Sequence, residues 1–299
     1  MKIYDCFMFF DEEMLLDLRL NIMDKYVDKF VITEATYMHS GKPKKLLFDI
    51  NNFSKFKDKI IYNIVDDKPP NIETIYDDDN DEVDTRGQKL VRNSIRREHY
   101  QREMAQKSLN KADPDDLILI NDVDEIPNLK DVNLKKIKEK IIIFKQKIFF
   151  YKFNLLYEGM SWYGSRACRK KNFISPQWLR DTKHKKYPPW RLDIFLSKTK
   201  YSSIYYVKNG GWHFTNIKSP EEIEKKFSTF LHHQDFQDSG LTLNDVKEMV
   251  ENKKVLYDHS VDQKDYKWSG KTTLKKISLS EMPDYLSENY KKYANWLEI

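Results

Sequence analysis

Residues 117–128, LILINDVDEIPN, run Leu and Ile into Asp122, Asp124 and Glu125 and stop at Pro127. Three carboxylates bunched at one strand end repel each other unless something cationic lies between them. Alternation along an extended chain puts Asp122 and Asp124 on one side and Glu125 on the other, so the two aspartates are placed to share a divalent ion. A metal diphosphate between them would turn repulsion into attraction. Ligands of open parallel sheets bind beyond the carboxyl ends of the strands, where this cluster falls. An isolated D-x-D is also a common acidic turn; the buried strand before it and the Glu-Ile-Pro at its end favour chemistry.

The stretch NGGWHF, residues 209–214, follows a strand, and its two glycines allow close approach of backbone to a ligand before Trp212 and His213 are presented. His213 suits a metal ligand or phosphate contact, although a lone histidine is more often a structural hydrogen-bonder. Glu98 and Arg102, four apart in EHYQR, read as a surface ion pair on a helix. WYGSR, residues 162–166, and Trp190 offer aromatic faces that suit a pyranose, or equally a core. The basic runs 166–171 and 183–186 read as solvated faces that draw in anions. The acidic stretch DDDNDEVD fails as a calcium loop, with Glu82 and Gln88 where Gly and Glu are needed, and reads as a surface loop.

These residues need elements to position them. Residues 2–7 read as a strand and 12–26 as a helix, with Leu15, Leu18, Ile22 and Tyr26 on one face and Asp11 as N-cap. Residues 28–33 and 59–65 are continuous apolar runs, as in strands covered on both faces. This β-α-β opening points to a parallel sheet. Helical composition over 86–110, a strand at 116–121, one bent or two strands over 141–155 and another strand at 202–207 follow. Ser219 and Pro220 open a helix to about residue 232, and 244–252 is a further helix. The tail from Asp258 is poorly patterned.

The 299 residues, 40% hydrophobic and 14% aromatic, supply one main core. A well-mixed formal charge of +5 suits an anionic ligand, and no aromatic-basic RNA motif is present, so no nucleic-acid partner is expected. Cys6 and Cys168 form neither a disulfide framework nor a metal spacing, which suits a reducing compartment. No run approaches the ~18 apolar residues of a membrane span. A soluble, cytoplasmic protein is the expectation.

Taken together, the motifs resemble glycosyltransferase family 17, the family of β-1,4-mannosyl-glycoprotein β-1,4-N-acetylglucosaminyltransferase. The resemblance lies in YDCFMFFDEEMLLDLRL, with Glu12, Leu15, Leu16 and Arg19, and in VDKFVITEATYMHSGKPKKLLF, with Asp28, Glu34, Gly41, Pro43 and Lys44. It continues through DVDEIP, GGWHF and SPEEIEKKF and reaches about Asp235; the tail after Asp238 adds nothing to it. No anchor or stem like that of the animal relatives is read here, so the acceptor need not be an N-glycan.

The resemblance implies an α/β fold of GT-A, Rossmann-like type, with a mostly parallel central sheet flanked by helices. Residues 1–235 would form the catalytic domain, 1–127 its nucleotide-sugar half and 128–235 its acceptor half, and 236–299 a C-terminal helical extension. It implies a UDP-sugar donor, UDP-N-acetylglucosamine or a related one, Mn2+ or Mg2+, and inverting transfer to a glycan or glycoconjugate acceptor. On that reading Asp124 is the principal metal ligand, Asp122 lies on metal or ribose, and His213 completes the shell. Glu34, Arg19, Arg102, Asp122 and Trp212 are the nucleotide-sugar candidates, and Glu125 and Asp235 the candidate bases. Three other classes stay open, one of them an RNA-binding protein, which could use the net positive charge but would be expected to show an aromatic-basic RNA motif. A metal-dependent nucleotidyltransferase would show a Gly-rich phosphate loop near the start, and DCFMFFDEE is not one. A non-catalytic carbohydrate-binding protein would keep the aromatics without needing DVDEIP.

Overall fold

The computed structural model describes residues 1–76, 83–229, 236, 239–258, 268 and 270–298. The apolar runs form β1 (Ile3–Met8), β2 (Lys29–Ala35), β3 (Ile60–Val65) and β4 (Leu117–Asp122). All pair in parallel, in the order β3-β2-β1-β4. Beyond β4 come β9 (Arg166–Arg169), antiparallel to both neighbours, then β6 (Ile141–Phe144) and β10 (Ile204–Val207), to make seven strands.

A second sheet of five strands has the order β12-β8-β7-β11-β5. Its members are β5 (Glu125–Pro127), β7 (Gln146–Phe150), β8 (Leu155–Trp162), β11 (Gly211–Thr215) and β12 (Lys275–Lys276). Only its β7–β11 pairing is parallel. The fold is therefore mixed α/β on two mixed sheets, which corrects the expectation of one mostly parallel sheet. The cause is β7 and β8: they leave the first sheet as an antiparallel pair, so the chain re-enters it running backwards as β9.

Three times the chain passes from the first sheet into the second: from β4 to β5, from β6 to β7 and from β10 to β11. The glycines before His213 serve the last of these crossings. A Cβ on Gly210 would lie 2.3 Å from the backbone nitrogen of Lys145, and one on Gly211, at φ +112°, 2.2 Å from the Ile126 carbonyl oxygen. Their close approach is thus to neighbouring crossings of the same chain, not to a ligand.

Helix α1 (Glu13–Met23) has Glu12 rather than Asp11 as its N-cap, without a side-chain cap bond. Glu12 instead accepts from the Phe10 and Asp11 amides, at 3.2 Å each. Helix α2 (Val83–Glu103) runs on into a 3-10 turn, Met104–Leu109. Helices α3 (Pro176–Asp181), α4 (Asp193–Leu196), α5 (Pro220–Thr229), α6 (Leu243–Glu251) and α7 (Asp284–Glu288) follow. Ser175 caps α3 through the Trp178 amide, with Pro176 at its first position.

The core has three parts. Leu16 and Leu18 of α1 pack with Phe30, Phe149 and Phe214 in the first. Cys6, Val31, Ile118 and Ile120 pack with Trp178 and Leu179 of α3 in the second, and both cysteines are buried free thiols. The third joins Phe150 and Tyr157 to Ile223 and Val246. The tail is bound into this body: β12 pairs with β8, Met282, Leu286 and Leu297 enter the first cluster, and the buried Tyr293 donates its hydroxyl to Asp17 at 2.7 Å.

Candidate active site

β4 ends at Asp122 and β5 starts at Glu125, so DVDE is the turn by which the chain changes sheets. A charged turn at such a seam needs internal donors, and α1 supplies Arg19. Its fully buried guanidinium binds Asp5 with two bonds, Nε to Oδ2 at 2.8 Å and Nη2 to Oδ1 at 2.6 Å. Its remaining nitrogen, Nη1, donates to the carbonyls of Asp122, Val123 and Glu125 at 3.1, 3.3 and 2.6 Å. Arg19 thus gathers the turn's backbone oxygens inward and leaves the carboxylates to the other side.

Two more arginines answer those carboxylates. Asp122 accepts from Arg102 at 3.1 Å on one oxygen and from Arg180 of α3 at 2.6 Å on the other. Glu125, buried completely, accepts from both terminal nitrogens of Arg180 at 2.6 and 2.7 Å, from the Trp162 indole and from the Asp122 amide. Burial alone would raise the Asp122 pKa, but Arg180 and Arg102 outweigh it and hold the carboxyl well below the usual range. Asp122 and Glu125 in turn raise Arg180 against its own burial. The cation implied by three bunched carboxylates is, for two of them, the protein's own.

Asp124 is different. Pairing of β5 with β11 sets His213 opposite Glu125, and the Phe214 amide donates to the Asp124 carbonyl at 2.8 Å. This register brings His213 Nε2 to 3.6 Å from Asp124 Oδ2. His213 also stacks on Trp162, centroids 4.7 Å apart, and its Nδ1 is buried with no hydrogen-bond partner among the described residues. Burial raises the Asp124 pKa, but His213 and Lys226 together outweigh it and hold the carboxyl below its usual value. Donors about 2.1 Å from one ion lie roughly 3–4 Å apart, so this pair fits a shared divalent cation. It is an open set: among the described residues no group of three or more His, Cys, Asp or Glu is arranged to hold a metal.

These side chains line a cleft of about 280 Å³, close to the smaller small-molecule sites. Glu12, His39, Lys44, Asn216 and Lys226 share its wall. Sequence reasoning did not reach Arg180, although Ser175-Pro176 repeats the capping pattern of Ser219-Pro220 and would have marked its helix.

The other candidates lie as follows. Glu34 is buried at the end of β2 and accepts from Lys44 Nζ, the amides of Leu47 and Phe48 at 2.8 and 3.1 Å, and the Tyr62 hydroxyl at 2.8 Å; it ties down the segment carrying Lys44. Arg102 is not on the surface: its pair with Glu98 is buried on the arginine side and continues to Gln177 and Asp122. Trp212 alternates away from the cleft, with its indole donating to the Glu281 carbonyl at 3.4 Å. Asp235, like the acidic stretch 77–82, lies outside the described residues. Residues 166–169 are β9, with Ala167 and Cys168 buried, and not a solvated face, whereas 183–186 are exposed.

Carboxylates, a histidine and aromatic faces are thus gathered at strand ends of an α/β fold, around one cleft. The model of glycosyltransferase family 17 matches residues 1–298, and the chain belongs to that family. The match includes the tail that the motifs leave aside. The protein is a glycosyltransferase, with a sugar donor and a glycan acceptor. No curated protein and no solved structure matches the chain. Among the described residues no helix is long and apolar enough to cross a membrane.

Proposed function

We propose that the protein moves N-acetylglucosamine, or a related sugar, from a UDP-sugar to a glycan hydroxyl with inversion, assisted by Mn2+ or Mg2+, on a GT-A type scaffold. The observation that carries this reading is the Asp124–His213 pair, 3.6 Å apart on a cleft wall where Asp122 and Glu125 are already neutralised by Arg180. Asp124 and His213 would hold the ion, with the remaining positions left to diphosphate oxygens and water. When bound, the ion supplies positive charge to the UDP leaving group. Arg19 and Arg180 orient the turn, and Lys226, bonded to Asn216 at 3.0 Å, adds a cation to the wall.

Manganese should tighten UDP binding, and calorimetric titrations with and without EDTA read this directly. Equal affinity in both would remove the metal from the mechanism. Incubation with a panel of UDP-sugars and manganese should show slow UDP release from one of them; release from none would count against a UDP-sugar donor.

The base must accept a proton from the incoming hydroxyl. Glu125 is held by four hydrogen bonds inside the protein, so it anchors Arg180 in our reading. Glu12 takes the role of base instead. It lines the cleft, and its two amide bonds both fall on Oε2, which among the described residues leaves Oε1 for a substrate. Burial raises its pKa, with Asp11 adding to the effect and Lys218 and Lys226 opposing it, which makes it a stronger base than an exposed glutamate. Glu12→Gln, which preserves the acceptor to both amides, should lower turnover by about 10²–10⁴-fold with UDP binding retained. Wild-type activity should fall as pH drops through the raised pKa, because the protonated carboxyl cannot accept a proton. A variant within a few-fold of wild type, with the same acid limb, would return the role to Asp235.

A further inference from the structure

Between α3 and β10 the chain makes an excursion, residues 183–200, that the site does not use. We propose that this excursion docks the protein on an anionic lipid surface, with Trp190, Leu192 and Leu196 entering the headgroup boundary.

These three are the most exposed large apolar side chains among the described residues, at 78%, 79% and 90%, and they fall within seven positions of each other. They belong to none of the three core clusters. Singly exposed apolar residues are ordinary, but a cluster of this kind marks a surface that meets something.

The excursion is braced. Its arms are joined by the Lys183 amide to the Thr199 carbonyl at 2.8 Å and by the Tyr187 amide to the Tyr201 carbonyl at 3.2 Å. Asp193 binds Arg191 and Lys200, at 2.8 Å each, and both cations lie over the Tyr187 ring, at 5.4 and 5.6 Å. The apolar tips are therefore held outward by internal pairing.

Charge identifies the occupant. The excursion holds six Lys or Arg against one Asp, an excess as large as the formal +5 of the whole chain. Asp193 satisfies Arg191 and Lys200, while Lys183, Lys185, Lys186 and Lys198 are exposed and have no ion-pair partner among the described residues. Unpaired lysines flanking an exposed Trp and two exposed Leu match a bilayer surface, where apolar tips sink in and long basic side chains reach the phosphates. A nucleic acid would use the cations but offers Leu192 and Leu196 nothing.

The excursion is bolted to the catalytic wall. The Trp178 indole of α3, two residues before Arg180, donates to the Lys198 carbonyl at 2.6 Å. His184 stacks on Tyr163, next to Trp162 of the cleft, with centroids 4.9 Å apart. Docking would hold the cleft beside the lipid, whatever the donor and metal are.

The test is co-sedimentation of the full chain with vesicles of equal parts phosphatidylcholine and phosphatidylglycerol, beside vesicles of phosphatidylcholine alone. Binding is expected to the mixed vesicles only and to weaken with added salt. Combined Trp190→Ser, Leu192→Ser and Leu196→Ser should lower it about tenfold or more. Combined Lys183→Glu, Lys185→Glu and Lys186→Glu should remove its salt dependence. All these positions are exposed, and UDP binding should be unchanged in both variants, so a failure of docking leaves the transferase reading standing. Equal sedimentation of wild type and the serine variant would overturn the proposal, as would no binding by wild type. Self-association of wild type that the serine variant abolishes, without vesicle binding, would assign the patch to a second copy instead.

Discussion

Asp124→Asn is expected to lower turnover by about 10²–10³-fold, the range found when one preorganised electrostatic contact is removed from a reacting centre, while the melting temperature changes little. The structure separates the two effects. Among the described residues the Asp124 carboxylate makes its ion-pair contact with His213, at 3.6 Å, whereas the turn around it is fixed through backbone carbonyls by Arg19. Asparagine keeps the shape and loses the charge, so that relief of repulsion from Asp122 offsets part of the lost attraction to His213 and Lys226. Rate of UDP release in manganese and thermal unfolding of the same preparation check this together. A variant that melts several degrees lower but retains its specific activity would make Asp124 a structural residue.

The largest loss of stability should come from Arg19→Met, at about 3–5 kcal/mol, because it strands a buried carboxylate. Asp5 is completely buried and, among the described residues, keeps only the Asn121 side-chain amide, at 2.6 Å, once the guanidinium is gone. The carbonyls of Asp122, Val123 and Glu125 lose a shared donor in the same step. Adding Asp5→Asn removes the stranded charge and should recover part of the loss. Full recovery is not expected, since the three carbonyls still lack a donor. Urea midpoints for the single and double variants decide it: a single-variant cost under about 1 kcal/mol would mean that the turn holds without Arg19, and complete recovery in the double would mean that the carbonyls need no donor. Turnover should drop in the double as well, because Asp124 rides on that turn.

Local chemistry was enough to read much of this protein. Runs rich in Ile, Leu, Val and aromatic residues mark β2, β3 and β4, and a shorter run of the same kind, broken by Asp5, marks β1, since strands in a largely buried sheet carry apolar side chains at most positions. The strand end at Asp122 follows from the same run meeting charge and then proline, and Ser219-Pro220 marks a helix start through capping alone. The order of short motifs was sufficient for the family.

What those signals could not carry was which strand lies beside which. His213 meets Asp124 because β11 pairs with β5 in a second sheet, and alternation on that strand turns Trp212 the other way. A period of two tells which residues share a face but not what the face meets. Arg102 and Glu98 look like a surface pair at helical spacing, and become part of the site because α2 lays them against the end of β4. Arg180, in a short helix between two basic runs, is bound to Asp122 and Glu125 only through the packing of Trp178 and Leu179 on the sheet. Hydrophobic periodicity is a property of a few neighbouring residues, whereas the charge balance of a buried cluster is set by whichever side chains long-range pairing brings within about 3 Å.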